Sequence, residues 1–253
     1  MKALLLDVGN TRLKWGIAEN GEIHRTGSVT QEKIRENGLG VLTTRLPRAV
    51  DTAIVSNVAG PTFATRLAGV VGAHCGCELH FAKTERSALG ISNSYKQPRR
   101  MGVDRWVAMI GAWAELRSAC LVVDAGTAVT IDALDDDGRH LGGQILPGVV
   151  LMANALAQQT SDIPRTKPAA VGEYDGLAMF GQNTRTAVGS GALGAVAGAI
   201  ERATRTLRSN ACDASVVLTG GDASRILTAL DTSPLHRPNL VLHGLMQMLE
   251  RRR

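Results

Sequence analysis

Two short apolar runs, each closed by an aspartate, organise the chain. Ala3-Leu4-Leu5-Leu6-Asp7-Val8-Gly9-Asn10-Thr11 and Cys120-Leu121-Val122-Val123-Asp124-Ala125-Gly126-Thr127 both read as buried strands that end in Asp-x-Gly. Asp7 and Asp124 are 117 residues apart, and so are Gly21 and Gly138 of the turn signals Asn20-Gly21 and Asp137-Gly138 that follow. Between run and turn lies a second strand-like stretch, 13–18 and then 128–134. Repetition of strand, glycine turn, strand and hairpin signal predicts two related halves, residues 1–115 and 118–253.

The rest of the first half alternates between periods of 3.6 and 2. A polar helix is expected near 30–45, a strand at 52–56, a helix from Pro61, a strand at 78–82, and a helix over 104–116 burying Trp106, Val107, Ile110 and Trp113. In the second half the pattern predicts helices near 149–157 and 186–207, a strand at 215–219 and a closing helix over 240–251. Gly194 and Gly198 predict close helix packing, since Glu201, Arg202 and Arg205 follow at once and argue against a membrane span. No Pro/Ser linker separates the halves, so they are expected to share a cleft and not to move on a tether.

Composition narrows the classes. With 253 residues, 44% of them hydrophobic, the chain can bury the core of one large domain or two ordinary ones. Only 3% are aromatic and 28 are Gly, so packing rests on small side chains that leave room for a ligand. A net charge of +5 raises the question of nucleic acid, yet Lys and Arg are scattered and the one dense run is Arg251-Arg252-Arg253. A small anionic substrate suits this balance as well. The apolar run before Asp7 is too short for a signal-peptide core or a bilayer span, so a cytoplasmic protein without a membrane partner is expected. Cys75, Cys77, Cys120 and Cys212 form no disulfide-scaffold spacing. His74, Cys75, Cys77 and His80 are close enough for a metal site, but Cys-x-Cys is poor zinc spacing and reduced thiols are the simpler expectation.

The chemistry concentrates where the repeat does. After Asp7, a Gly-containing turn followed by Asn10, Thr11 and Lys14 offers a polyphosphate backbone amides, a hydroxyl, an ammonium and a metal-binding carboxylate. A second such loop spans Asp124-Ala125-Gly126-Thr127-Ala128-Val129-Thr130. Either alone could be an ordinary hairpin with a turn-stabilising Asp; their recurrence favours phosphate binding. Thr219-Gly220-Gly221-Asp222 follows a strand, and its glycines let backbone lie against a planar ligand such as adenine or simply make a turn. In Gly102-Val103-Asp104-Arg105, Asp104 is either a helix N-cap or a general base with an anion-binding Arg beside it. Gly142-Gly143-Gln144-Ile145-Leu146-Pro147-Gly148 reads as a flexible loop that connects or lines a substrate pocket.

From Leu4 to Ala223 these motifs, in this order, resemble the type III pantothenate kinases, also called the Bvg accessory factor family. Asp7-Val8-Gly9-Asn10-Thr11-Arg12-Leu13-Lys14 looks like the family's first phosphate motif, Asp124 to Thr130 its second, with Gly126 and Thr127 in the turn, and Thr219-Gly220-Gly221 its adenosine motif. Tyr95-x-x-Pro98-x-x-x-Gly102-Val103-Asp104-Arg105 looks like its pantothenate motif, joined by Gly143 in the 142–148 stretch and by Thr184. The resemblance implies a duplicated ribonuclease-H-like α/β fold of the actin/sugar-kinase superfamily, with ATP in the cleft between the halves. It implies transfer of the γ-phosphoryl group of ATP to pantothenate, the first step of coenzyme A synthesis. Asp104 would accept the hydroxyl proton, Asp7 would help hold Mg²⁺, and Asp124 would hold a monovalent cation, K⁺ or NH₄⁺. Arg105 and Tyr95 would hold the substrate, and Thr184 would reach the partner's site in a homodimer. The main departure from the common pattern is the basic pair Arg99-Arg100. Two other expectations compete: a nucleotide-regulated accessory protein, against which Asp104 argues, and another kinase or phosphatase of the superfamily, since phosphate loops do not identify the acceptor.

Overall fold

The computed structural model describes residues 1–161, 163, 179–210 and 213–251. Its contacts divide the chain into two units, Met1–Glu115 with Leu240–Arg253, and Leu116–Asn239. Cys212, Arg252 and Arg253 lie outside the described residues.

The first unit is built on strands β1 (Lys2–Val8), β2 (Arg12–Glu19) and β3 (Glu22–Thr30), helix α1 (Gln31–Asn37), strand β4 (Thr52–Asn57), helix α2 (Pro61–Cys75) and strand β5 (Leu79–Phe81). A small hairpin follows, β6 (Ser87–Ala88) and β7 (Ile91–Ser92), then helix α3 (Val103–Leu116). The sheet order is β3-β2-β1-β4-β5, with β1 antiparallel to β2 and parallel to β4. Leu4, Leu6 and Val8 of β1 alternate onto one face and pack with Leu67, Val71 and Cys75 of α2. Trp106, Val107, Met109 and Ile110 of α3 are fully buried or nearly so.

The second unit has strands β8 (Cys120–Ala125), β9 (Ala128–Leu134) and β10 (His140–Pro147), helices α4 (Val149–Gln159) and α5 (Thr184–Arg208), strand β11 (Ser215–Thr219), helix α6 (Ala223–Leu227) and strand β12 (Leu235–His236). Its order is β10-β9-β8-β11-β12, again with an antiparallel first pair and parallel β8, β11 and β12. The two sheets share order and strand directions, the structural counterpart of the 117-residue repeat. Val196 and Ile200 of α5 cover Leu121, Val123, Val129 and Ile131. On the opposite face, His140 Nε2 meets Asp132 Oδ1 at 3.0 Å with both side chains buried, beside the bulge between His140 and Gly142.

Four expectations differ from the structure. The closing helix, α7 (Leu240–Glu250), expected in the second half, packs on β1, β2 and β4 of the first. The helix expected near 30–45 stops at Asn37, because Gly38 adopts φ 72°, ψ 176° and cannot continue it; a short 3₁₀ turn follows. The 142–148 stretch is no loop: most of it is β10, paired with β9 from Gly142↔Ala133 to Pro147↔Ala128. Among the described residues close packing does not occur at Gly194 and Gly198, where an added Cβ would meet nothing within 4 Å. It occurs at Gly111 of α3 and Gly244 of α7, where a Cβ would strike the Leu240 and Val107 carbonyl oxygens respectively. Among the described residues no helix is long and apolar enough to cross a membrane.

Candidate active site

The first Asp-x-Gly turn leaves β1 at Asp7, which pairs in register with Lys14 of β2. The Gly9 amide donates to the Arg12 carbonyl, 3.0 Å, closing a turn of Gly9, Asn10 and Thr11. Gln31, nearly buried, ties the turn to α1: its Nε2 donates to the Gly9 carbonyl, 2.9 Å, and its backbone amide to that of Thr11, 2.8 Å. Asn10, Thr11 and Arg12 are exposed, while Val8 and Leu13 belong to the core, so those two can serve a ligand only through their backbone. Ser56, the register partner of Asp7 on β4, has a fully buried hydroxyl with no hydrogen-bond partner among the described residues.

The second turn is shorter, only Gly126 and Thr127, and the Gly126 amide donates to the Ala128 carbonyl, 3.0 Å. It is wedged by backbone. The Gly148 amide donates to the Thr127 carbonyl, 2.8 Å, and a Cβ on Gly148 would strike the Gly126 oxygen. Asp124 pairs in register with Thr130. Gly220, at φ 101°, lies so close to Ala125 that a Cβ would overlap its backbone, whereas Gly221 faces open space. The Asp222 amide donates to the Ala125 carbonyl, 2.9 Å, and thus fastens the Gly-Gly turn beside the second Asp-x-Gly turn.

At the start of α3, Asp104 Oδ1 accepts the Arg105 amide, 2.8 Å, and lies close to where a Gly102 Cβ would stand, 2.6 Å. Arg105, only 6% exposed, donates from Nη1 to the Tyr95 phenol oxygen, 3.0 Å, and its guanidinium lies 5.8 Å from the centre of the Tyr95 ring. The structure therefore brings Tyr95, Gly102, Val103, Asp104 and Arg105 together.

In the second unit Thr184 opens α5 behind the N-cap Asn183, whose side chain accepts the Thr186 amide, 3.0 Å. Thr184 lines a mainly apolar cavity of about 1070 Å³ with Pro147, Leu151, Leu156 and Val188. Gly143 sits on β10 opposite Asp132 and is not among that cavity's lining residues.

Among the described residues no group of three His, Cys, Asp or Glu gathers to hold a metal, at His74, Cys75, Cys77 and His80 or elsewhere. His74 Nε2 is engaged with the Leu46 carbonyl, 3.1 Å. Burial, and then the neighbouring Cys77, push the Cys75 thiol up to about 11, and burial raises Cys77 as well, so both thiols stay protonated. Asp7 and Asp124 stand on separate strands.

Nothing in the local sequence marks Gln31 or Ser56. A Gln after a helix N-cap and a Ser at a strand end are both commonplace locally, and only the sheet and the turn beside them reveal their placement.

The description Type III pantothenate kinase applies to the family model that matches residues 3–206. A type III pantothenate kinase of Nitrosococcus oceani is 34% identical, covering 97% of this chain and 92% of that protein. Another, of Dechloromonas aromatica, is 39% identical, covering 96% and 97%. Among solved structures, a Campylobacter jejuni protein described as a Baf family transcriptional activator superposes with TM-score 0.61 at 19% identity over 98% of both chains. A Sinorhizobium meliloti protein described as a 2-dehydro-3-deoxygalactonokinase gives 0.58 at 18% identity over 99% and 98%. At these identities the two superpositions establish the actin/sugar-kinase-like fold. With a family model over most of its length and full-length relatives above 30% identity, the chain belongs to the type III pantothenate kinase family.

Proposed function

We infer that the protein transfers the γ-phosphoryl group of ATP to pantothenate, giving 4′-phosphopantothenate and ADP at the entrance to coenzyme A synthesis. The observation that carries the reading is the Asp-x-Gly turn standing at the same place in two sheets of the same order, with Tyr95, Asp104 and Arg105 assembled beside one another in the first unit. The pantothenate hydroxyl oxygen bonds to the γ-phosphorus as the bond to the ADP oxygen breaks. Asp104 takes the hydroxyl proton, and Arg105 and Tyr95 hold the acceptor. Lys14 and the hydroxyls of Thr11 and Thr127 position phosphates, while Gly220 and Gly221 form the face for adenine. Mg²⁺ arriving with the nucleotide would be held by Asp7 and would neutralise phosphate charge, and K⁺ or NH₄⁺ would be held by Asp124. ADP release coupled to a reporter, with pantothenate and a panel of sugars and hydroxy acids, tests the acceptor. Rapid turnover of another alcohol with none of pantothenate overturns it. Equal rates with and without K⁺ in desalted Tris overturn the monovalent site.

The reading extends to a homodimer. Leu151, Leu156, Met179 and Phe180 are 43–75% exposed in the second unit, an apolar surface suited to a second copy. Thr184 would then serve the partner's acceptor site. Mixing Asp104→Asn and Thr184→Ala chains should restore activity after subunit exchange; no recovery argues for sites complete in one chain. A cytoplasmic setting fits a reaction that draws on ATP.

A further inference from the structure

Tyr95 lies in a segment without regular structure, yet its phenol meets Arg105 at hydrogen-bonding distance. Something must hold that segment. The Leu89-Gly90 turn of the β6–β7 hairpin has positive φ at both residues, 53° and 90°, the two-residue hairpin geometry that disfavours a bulky Leu. At the open end of this hairpin the Asn93 amide donates to the Arg86 carbonyl, 2.9 Å. From there Arg86 reaches along the segment: Nη1 donates to the Tyr95 carbonyl, 3.1 Å, and to that of Asn93, 3.4 Å, and Nη2 to that of Lys96, 3.2 Å. Asn93, 4% exposed, adds the inner half, its Oδ1 accepting the Tyr95 amide, 2.9 Å, and its Nδ2 reaching the Met101 sulfur, 3.5 Å.

We propose that Arg86 is a positioning residue for the acceptor subsite: its fork fixes the backbone on both sides of Tyr95, and Asn93 fixes the Tyr95 amide, so that the phenol is presented to Arg105 before substrate arrives. Arg86 touches no reacting group and acts through Tyr95. A guanidinium is needed because the bonds diverge from two nitrogens to successive carbonyls, which one ammonium cannot reproduce. The inference rests on the assignment of Tyr95 and Arg105 to the acceptor.

The test measures kcat, both KM values and the thermal midpoint for Arg86→Ala, Arg86→Lys, Tyr95→Phe and the double variant Arg86→Ala/Tyr95→Phe. For Arg86→Ala the expected result is a rise of about fivefold to tenfold in pantothenate KM, with ATP KM and the thermal midpoint unchanged. Arg86→Lys should resemble Arg86→Ala, and millimolar guanidinium should partly rescue the Ala variant. In the Tyr95→Phe background, Arg86→Ala should add about twofold or less, because both changes loosen the same contact. If Tyr95→Phe leaves pantothenate KM unmoved, the subsite assignment fails and the proposal with it. If Tyr95→Phe raises it while Arg86→Ala does not, or the two effects multiply, the brace alone is overturned. A fall in thermal midpoint with both KM values raised would assign Arg86 a merely structural role and overturn it too.

Discussion

The two units repeat one sheet but shape its central turn by opposite means. In the first, three residues separate β1 from β2, the turn is held by the Gln31 side chain, and polar side chains project from it. In the second, two residues separate β8 from β9, and the turn is held by backbone packed against Gly148 and Gly220 with no space for a methyl group. Duplication has thus kept the frame and divided the work. On the reading proposed above, Lys14, Tyr95, Asp104 and Arg105 would act from the first unit through their side chains, and the second would add a close-fitting backbone turn to the side chains of Asp124 and Thr127.

The sharpest way to break that division is Asp104→Asn. Asn keeps an oxygen for the Arg105 amide, so the thermal midpoint should hold, while loss of the proton acceptor should lower kcat by about 10²–10⁴-fold. Near wild-type turnover would remove Asp104 from the chemistry and leave it a first-turn residue of α3. Next in size are Gly148→Ala and Gly220→Ala, each of which puts a methyl into backbone of the second turn. Both should weaken ATP binding by about tenfold or more and lower the thermal midpoint, whereas Gly9→Ala, whose Cβ would meet only the Arg12 oxygen at 3.4 Å, should do neither. Equal effects at the three glycines, read by calorimetric titration and melting, would erase the contrast between the turns.

Gln31→Ala should raise ATP KM a few-fold and reduce stability by about 1 kcal/mol, because it removes the side-chain tie on the first turn and leaves the second untouched. The smallest effect is expected within the second unit, where α5 meets the segment after α6. Glu201 of α5 accepts the Thr232 amide at 2.9 Å and the Thr232 hydroxyl at 2.7 Å. Burial alone would raise its carboxyl, but these bonds, the Asp231 amide and Arg205 outweigh burial and hold it below the usual value. A carboxyl lowered in the folded state stabilises the fold above its unfolded pKa, and that contribution disappears as pH falls through the folded value. Glu201→Gln should therefore lower the thermal midpoint slightly at neutral pH and flatten its acid dependence, with kcat unchanged. An unaltered acid limb would detach Glu201 from the pH response.

What could be read from residues alone was whatever repeats or alternates locally. The runs ending at Asp7 and Asp124, the strands over 128–134 and 215–219, and the helix carrying Trp106 all announce themselves by period. Strand β10 did not, because Gly142 and Gly143 carry no apolar face and most of the strand is solvent-exposed, leaving no period-2 signal. The glycines gave the opposite lesson. Gly194 and Gly198 have the spacing of a packing motif, yet an added Cβ at either would meet none of the described residues within 4 Å, whereas the real close approach joins Gly111 to a helix more than a hundred residues away. Gln31 at the first turn and Arg86 beside Tyr95 bond through their side chains to carbonyls of other segments. Such pairings are set by tertiary placement, of which a local window holds no trace.

The return of α7 to the first sheet has a consequence for how the molecule is made. A ribosome delivers β1 to α3 first, then all of residues 116–239, and only then the helix that covers β1, β2 and β4. Until Leu240 and Leu245, both buried to 1% or less, have emerged, that face of the first sheet lacks its partner, and Gly111 has no helix to dock on. Among the described residues, every strand and helix of the second unit precedes Leu240. Vectorial synthesis therefore lets the part made later finish folding earlier, and the first unit waits on the nascent chain for its last turn of packing.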